Sequence, residues 1–180
     1  MPSGRTHDRI TLWCLPLVVA LAFRVTLDGW LTSIVCLGFL LGGWMFGPDL
    51  DIHSVQYKRW GWLRWIWLPY RHSMRHRSPY SHGPIIGTVL RVLYVSLWVA
   101  LLGIILVEIL NLLGRTSLTW NELFTSLTWG LRQYWPQWVA LLVGLELGAL
   151  SHYTSDWLVS SFKAKKRKAN RRKARPRKRS

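Results

Sequence analysis

The stretch LTSIVCLGFLLGGWMF, residues 31–46, is an apolar run that contains no charged residue. Gly47 and Pro48 follow it and predict its end, because proline cannot continue a helix and glycine lets the chain turn away. Asp49 and Asp51 come directly afterwards. The stretch therefore predicts a helix that delivers two carboxylates to one of its ends.

Three other apolar runs approach the length of a membrane-spanning helix, which needs about 20 predominantly apolar residues. They carry few charges, such as Arg91 and Glu108 near the ends of one run. We therefore expect an all-α fold, a membrane-embedded bundle of about four transmembrane helices. These helices are expected at about residues 10–27, 31–46, 85–110 and 138–162. A soluble bundle with unusually apolar helices is the alternative.

The predicted helices divide residues 1–162 into a membrane domain with an insert at 47–84 and a connection at 111–137 on the opposite side. The chain has thirteen tryptophans, and four of them fall within residues 60–70. Tryptophan favours the headgroup layer of a bilayer, where its ring is buried and its N–H stays hydrated. We expect residues 60–70 to lie flat in this layer with their rings inserted.

The net charge of +16 comes mostly from residues 163–180, where twelve residues are Lys or Arg and none is acidic. We expect a disordered basic tail that can bind anionic lipid or nucleic acid. Because Lys and Arg favour the cytoplasmic ends of spanning helices, both termini and the insert are expected in the cytoplasm. Ala20–Leu21–Ala22 resembles a signal-peptide cleavage site. We expect the first run to be retained, because the second follows directly and pairs with it as a hairpin.

Histidines and aspartates fall near the cytoplasmic ends of the predicted helices, where they could meet. These residue types bind zinc and its first-row neighbours. The candidate metal ligands are His7, Asp49, Asp51, His76, His82, His152 and Asp156, and His53 and His72 are possible additional ligands. Seven ligands exceed the need of one tetrahedral ion, which predicts two ions or an open site.

The insert also carries a basic segment around two of these histidines. Arg71, Arg75 and Arg77 could hold a phosphate group. His72 and His76 are four residues apart, so a helix would place them on one face. The alternative is that this segment is simply a solvated charged surface.

The last predicted helix contains ionisable residues, which are costly in a membrane and usually functional. His152 and Asp156 lie one turn apart and could be ligands, or a hydrogen-bonded pair that joins helices. Glu146 lies deeper in the same helix. It could be an outer ligand or a proton relay, or it could pair with Arg91 or Arg24.

Four short motifs occur in the same order as in a known family pattern. They are His7, Pro48–Asp49–Leu50–Asp51, His76–Arg77 with Ser81–His82, and Ser151–His152 with Asp156. On these motifs, which span about residues 4–160, the chain resembles the cyanobacterial metal-binding proteins of unknown function. It is more distantly similar to the bacterial inner-membrane proteins called membrane-bound metal-dependent hydrolases. In that hydrolase pattern the two histidines of the third motif lie one residue closer together.

Three functions follow from these observations. The first is a metal-dependent hydrolase that acts on a phosphoester or lipid at the cytoplasmic membrane face, since a bound metal supplies hydroxide near neutral pH. The second is a non-catalytic metal-binding protein. The third is a structural membrane protein whose basic tail recruits lipid or nucleic acid. We expect one or two divalent ions, with zinc favoured and manganese or iron as alternatives.

Overall fold

The computed structural model describes residues 4–76 and 78–174. For residue 164 and residues 166–174 it describes the backbone alone. Within these residues the chain forms helices and short connections, and no strand occurs. The helices are α1 (Gly4–Thr26), α2 (Gly29–Trp44), α3 (Val55–Arg59), α4 (Leu68–Ser73), α5 (Pro79–His82), α6 (Ile86–Leu112), α7 (Trp120–Gln133) and α8 (Trp135–Ala174). Two 3₁₀ helices, Pro48–Asp51 and Gly61–Trp67, lie within the insert. The predicted all-α class is confirmed.

Helices α1 and α2 form the predicted hairpin. The turn is tight because Leu27 adopts a positive φ of 49° and Asp28 caps α2, its carboxylate accepting a hydrogen bond of 2.9 Å from the Leu31 N–H. The hydroxyls of Thr26 and Thr32 lie 3.0 Å apart across the turn. The hairpin therefore returns α2 to the end of the bundle where α1 begins.

Helices α2 and α8 run parallel and approach each other through glycines. Each helix carries two glycines four residues apart, which are Gly38 and Gly42 on α2 and Gly144 and Gly148 on α8. A Cβ at Gly38 would lie only 2.6 Å from the Leu141 carbonyl oxygen, and one at Gly42 would overlap the Leu145 carbonyl oxygen. Small residues at this spacing let helix backbones pack closely, as is common between membrane helices. This packing sets the position of α8 relative to the end of α2.

The insert folds into a small core of its own. Trp67 is fully buried among Leu50, Tyr57, Ile66 and Tyr70. The expectation that the tryptophans of residues 60–70 are inserted in the headgroup layer is therefore wrong for Trp67. The 3₁₀ helix Gly61–Trp67 and the helix after it fold back on the insert and enclose this ring, while Trp62 stays exposed.

Helix α6 contacts the rest of the molecule mainly through its first half. Trp98 packs edge-on against Trp65 with ring centroids 5.1 Å apart, and the Tyr94 hydroxyl donates a hydrogen bond to the Ile66 carbonyl oxygen. The second half of α6 is largely exposed. The predicted connection contains α7, whose residues include none that is buried, and leads directly into α8.

The predicted four-span bundle is not confirmed. Two helices in the described part of the chain, α1 and α6, are long and apolar enough to cross a membrane, while α2 is apolar but has only 16 residues. Helix α8 does not qualify, and the polar side chains of Glu146, His152 and Asp156 interrupt its apolar sequence.

The tail differs from the prediction of disorder. Helix α8 continues to Ala174, through most of the segment that begins at Lys163. Lysine, arginine and alanine are good helix formers, and no proline occurs between Lys163 and Arg175. Residues 175–180 lie outside the described part of the chain.

Candidate metal centre

The two aspartates after α2 are held by the insert. Leu50, between them, is fully buried, which anchors the 3₁₀ helix Pro48–Asp51. Gln56 donates a hydrogen bond of 2.8 Å to the Gly43 carbonyl oxygen, and its own amide oxygen accepts one of 3.2 Å from the Asp49 N–H. The buried glutamine thus locks the turn against the end of α2. Asp49 and Asp51 are thereby directed into the bundle.

The first group of candidate ligands joins the start of α1 to α8. His7, His152 and Asp156 offer ligand atoms that all lie within 4.8 Å of one another. The two imidazole rings stack with centroids 3.9 Å apart, and His7 Nε2 lies 3.4 Å from a carboxylate oxygen of Asp156. Residues separated by almost the whole chain therefore form one cluster.

The second group lies in the insert and around the end of α2. Asp49, His76 and His82 also place one ligand atom each within 4.8 Å of the others. Asp51 belongs beside them, since one of its carboxylate oxygens lies 3.0 Å from His76 Nδ1 and the other 3.6 Å from His82 Nδ1. Its side chain is completely buried.

Asp49 connects the two groups. One of its carboxylate oxygens lies 3.5 Å from His82 Nε2 and the other lies 3.3 Å from His152 Nε2. Burial on its own would raise the pKa of the Asp49 carboxyl, but the contacts with His152 and His82 outweigh it and hold this pKa well below its ordinary value. Asp49 is therefore a carboxylate shared by two clusters.

The atoms of these groups fit the requirements of metal ligation. Several are buried without a hydrogen-bond partner in the described structure, namely Asp49 Oδ1, His82 Nε2, His152 Nε2 and Asp156 Oδ1. Leaving buried polar atoms unpaired is costly, so such atoms indicate a missing partner. Ligands about 2.1 Å from a tetrahedral zinc ion lie about 3.4 Å from one another, close to the separations found here. Metal ions would satisfy these atoms.

A serine on α8 orients one of the histidines. The Ser155 hydroxyl donates a hydrogen bond of 2.8 Å to the His152 carbonyl oxygen and lies 2.7 Å from His7 Nδ1. Because the hydroxyl proton is used in the hydrogen bond to His152, the Ser155 oxygen accepts a hydrogen bond from the Nδ1–H of His7. This tautomer leaves Nε2 of His7 free to bind a metal. Sequence reasoning missed Ser155, although its position three residues after His152 and one before Asp156 was a signal.

A second support for the site comes from α6. Arg91 is fully buried and donates a hydrogen bond of 2.9 Å to the Ser81 carbonyl oxygen and another of 2.9 Å to the Thr88 hydroxyl. The Ser81 hydroxyl lies 3.0 Å from His82 Nδ1. Arg91 therefore holds the segment that carries His82. Glu146 does not join either group; its carboxylate accepts a hydrogen bond of 3.0 Å from the Ile85 N–H.

The structure thus brings all seven predicted ligands into two adjoining groups, but it does not bring His72 there. Helix α4 ends at Ser73, so His72 and His76 do not share a helical face, and His72 is exposed. His53 is exposed, packs against Tyr57 with the two rings tilted and their centroids 5.4 Å apart, and lines a cleft beside the first group.

The arginines proposed for phosphate binding are less favourably placed. The Arg71 guanidinium lies 4.4 Å above the Tyr57 ring, and the Arg75 side chain is exposed. Neither lines the cleft beside the metal ligands. Their phosphate-binding role stays a prediction, and the Arg71 side chain turns back onto the core of the insert. Arg77 lies outside the described residues.

An all-α fold with two adjoining groups of imidazoles and carboxylates defines a protein equipped to bind metal ions. The family described as "Uncharacterized metal-binding protein (DUF2227)" matches residues 2–166, and the chain belongs to this family. This match confirms the predicted metal-binding family. The cyanobacterial origin and the similarity to membrane-bound hydrolases stay predictions.

The chain is also similar to a protein of Aquifex aeolicus (strain VF5) described as "Uncharacterized protein". The two are 39% identical over 59 residues, which cover 32% of this chain and 41% of that protein. No solved structure matches the chain.

Proposed function

We propose that this protein is a membrane-bound, metal-dependent hydrolase that acts on a phosphoester, in a lipid or at the lipid surface, on the cytoplasmic face of the membrane. The observation that supports this proposal most strongly is the position of Asp49, whose two carboxylate oxygens face different histidines. A carboxylate shared in this way is suited to bridge two metal ions. Two-metal sites are common in enzymes that cleave phosphoesters.

The residues present can hold two ions. His7, His152 and Asp156 would hold one and Asp49, His76 and His82 the other, and the second carboxylate oxygen of Asp49 faces His152 of the first group. Bound zinc, or manganese or iron in its place, would lower the pKa of water and stabilise negative charge on phosphoryl oxygens. The chain itself orients the ligands: Ser155 sets the tautomer of His7, and the Asp51 carboxylate lies beside Nδ1 of both His76 and His82.

Exposed apolar surface supports the membrane location. In the most apolar 18-residue window of α6 no residue is buried, and exposed apolar surface of this size marks a contact with lipid or another protein. The metal ligands lie at the end of the bundle that also carries the basic insert. We infer that this end is cytoplasmic. The basic end of α8 would bind anionic lipid headgroups, with nucleic acid as the alternative partner.

The first test is the metal content and activity of protein purified in detergent. We expect about two divalent ions per wild-type chain, a loss of at least one in His152→Ala, and no change in His72→Ala, because His72 is exposed outside both groups. Hydrolysis of a panel of phosphomonoesters and phospholipids should require the metal and stop on chelation. Full metal loading without turnover of any substrate would contradict the hydrolase proposal.

A non-catalytic metal-binding protein is the second candidate. It is supported by the second group, in which Asp49, His76 and His82 each offer a ligand atom within 4.8 Å of the others and could hold an ion without a catalytic role. The absorption spectrum of cobalt-substituted protein separates the two functions. A purely four-coordinate spectrum that does not respond to added anions would favour the closed, non-catalytic site.

A further inference from the structure

A cleft opens beside the first group of metal ligands. Its volume is about 250 Å³, and its lining includes His7, Asp49 and Asp156 from the candidate metal centre. The same lining includes His53 and Lys58 from the insert. The cleft therefore connects the metal ligands to solvent beside a basic residue that belongs to neither metal group.

Lys58 is directed towards the cleft by the packing of α3. Ser54 caps this helix by accepting a hydrogen bond of 3.1 Å from the Tyr57 N–H. Gln56 and Tyr57 are buried, which fixes one face of the short helix to the protein and leaves Lys58 exposed. The position of the lysine is thus determined by the same insert that holds Asp49.

Arg59, which follows Lys58 in the chain, is not free to bind an anion in the cleft. Both terminal nitrogens of Arg59 contact the Asp8 carboxylate, and one of them also donates a hydrogen bond of 2.9 Å to the Trp44 carbonyl oxygen. Arg59 is therefore already neutralised by its partners. Among the described residues, Lys58 forms no ion pair within 4.0 Å.

Charge then decides what the cleft attracts. The candidate centre contains three aspartates, so two divalent ions would leave it with a surplus of one positive charge. Lys58 adds a second positive charge at the cleft. A cation and a metal centre that converge on one small cavity favour an oxyanion with two negative charges, because each contributes a charge-assisted contact.

We propose that this cleft binds the phosphate group of the substrate, with Lys58 as its principal anchor and His53 as a weaker contact. The proposal rests on the proposed function. A volume of about 250 Å³ is smaller than the 300–1,000 Å³ typical of drug-sized ligands, so the site suits a phosphomonoester headgroup rather than a whole nucleotide.

The test is calorimetric titration of inorganic phosphate into the metal-loaded, full-length protein in detergent. Lys58→Met should weaken phosphate binding by about tenfold to a hundredfold, the effect of losing a charge-assisted hydrogen bond. Arg64→Met removes the same charge from an exposed site outside the cleft and should change the affinity less than about twofold. Equal weakening in both variants, or none in Lys58→Met, would overturn the proposal.

Two further arms identify the source of the phosphate and separate this inference from the proposed function. Nanodiscs that contain phosphatidic acid should compete with inorganic phosphate if the natural ligand is a lipid headgroup. Competition by glycerol phosphate alone would indicate that the natural ligand is a soluble phosphomonoester. Either result supports a phosphate site in the cleft. Metal content is measured on every sample. Wild-type protein that loads no metal would refute both proposals, whereas normal loading and turnover with unchanged phosphate binding in Lys58→Met would refute only this one.

Discussion

Three of the candidate ligands are held by neighbours that are not themselves candidate ligands. Gln56 holds the turn of Asp49, Ser155 contacts His7, and Arg91 binds the segment that carries His82. Such contacts orient ligands and commonly affect metal affinity by about 10–100-fold. Ligand identity alone therefore does not account for the site.

At this scale we predict the effect of Ser155→Ala. Without its hydroxyl, His7 Nδ1 loses a contact of 2.7 Å and the ring loses its preferred tautomer. Metal affinity should fall by about 10–100-fold while the fold is retained. A competition titration against a chromophoric chelator measures this change. Ser160→Ala is the control, because Ser160 is exposed on the same helix, and an equal loss in both variants would contradict the role of Ser155.

At this scale the sequence indicated the candidate ligands but not the residues that support them. Histidine and aspartate are recognisable because few residue types bind metals. Ser155 and Lys58 have no such chemical signature, and their roles depend on which groups the fold brings beside them. For the same reason the sequence could not indicate that the Arg71 guanidinium packs on Tyr57.

At the scale of the helices, the contact between α2 and α8 positions the site. Asp49 follows α2 and His152 belongs to α8, so the distance between these ligands depends on how closely the two helices pack. The glycines Gly42 and Gly144 permit that approach. On each helix two glycines lie four residues apart, which is visible in the sequence. Such glycine pairs also occur in many apolar helices that do not pack closely against another helix.

We predict that Gly42→Ala destabilises the bundle. The added methyl group would overlap the Leu145 backbone, and overpacking of this kind costs about 1–3 kcal/mol. Thermal unfolding in detergent should show a lower midpoint, together with weaker metal binding. Gly103→Ala on α6 is the matched control, because nothing lies within 4 Å of its added Cβ and alanine favours the helix. A control that loses as much stability would contradict this explanation.

At the scale of the whole molecule, charge and apolar surface suggest an orientation. The basic insert and the basic end of α8 lie on the side of the metal groups, whereas the connection that contains α7 lies at the other end. Basic residues favour the cytoplasmic side of a membrane protein. We therefore expect the two ends of the bundle to face different compartments.

Cysteine labelling in intact cells tests this expectation. In a background with Cys14 and Cys36 replaced by alanine, Arg115→Cys in the connection should react with a membrane-impermeant maleimide. Arg75→Cys in the insert should react only after permeabilisation, because its side chain is exposed at the end of the bundle that we expect to be cytoplasmic. Equal labelling of both positions before permeabilisation would refute the orientation.

The sequence by itself determined the helical class, the main apolar helices and the set of candidate ligands. Apolar runs, helix-ending prolines and the chemistry of histidine and aspartate are local properties that can be read from one segment at a time. Only the tertiary structure decided that the ligands divide into two groups with Asp49 between them, and that Trp67 belongs to a core instead of the headgroup layer. These arrangements depend on the parallel packing of α2 with α8 and on the folding of the insert, which join residues far apart in the chain.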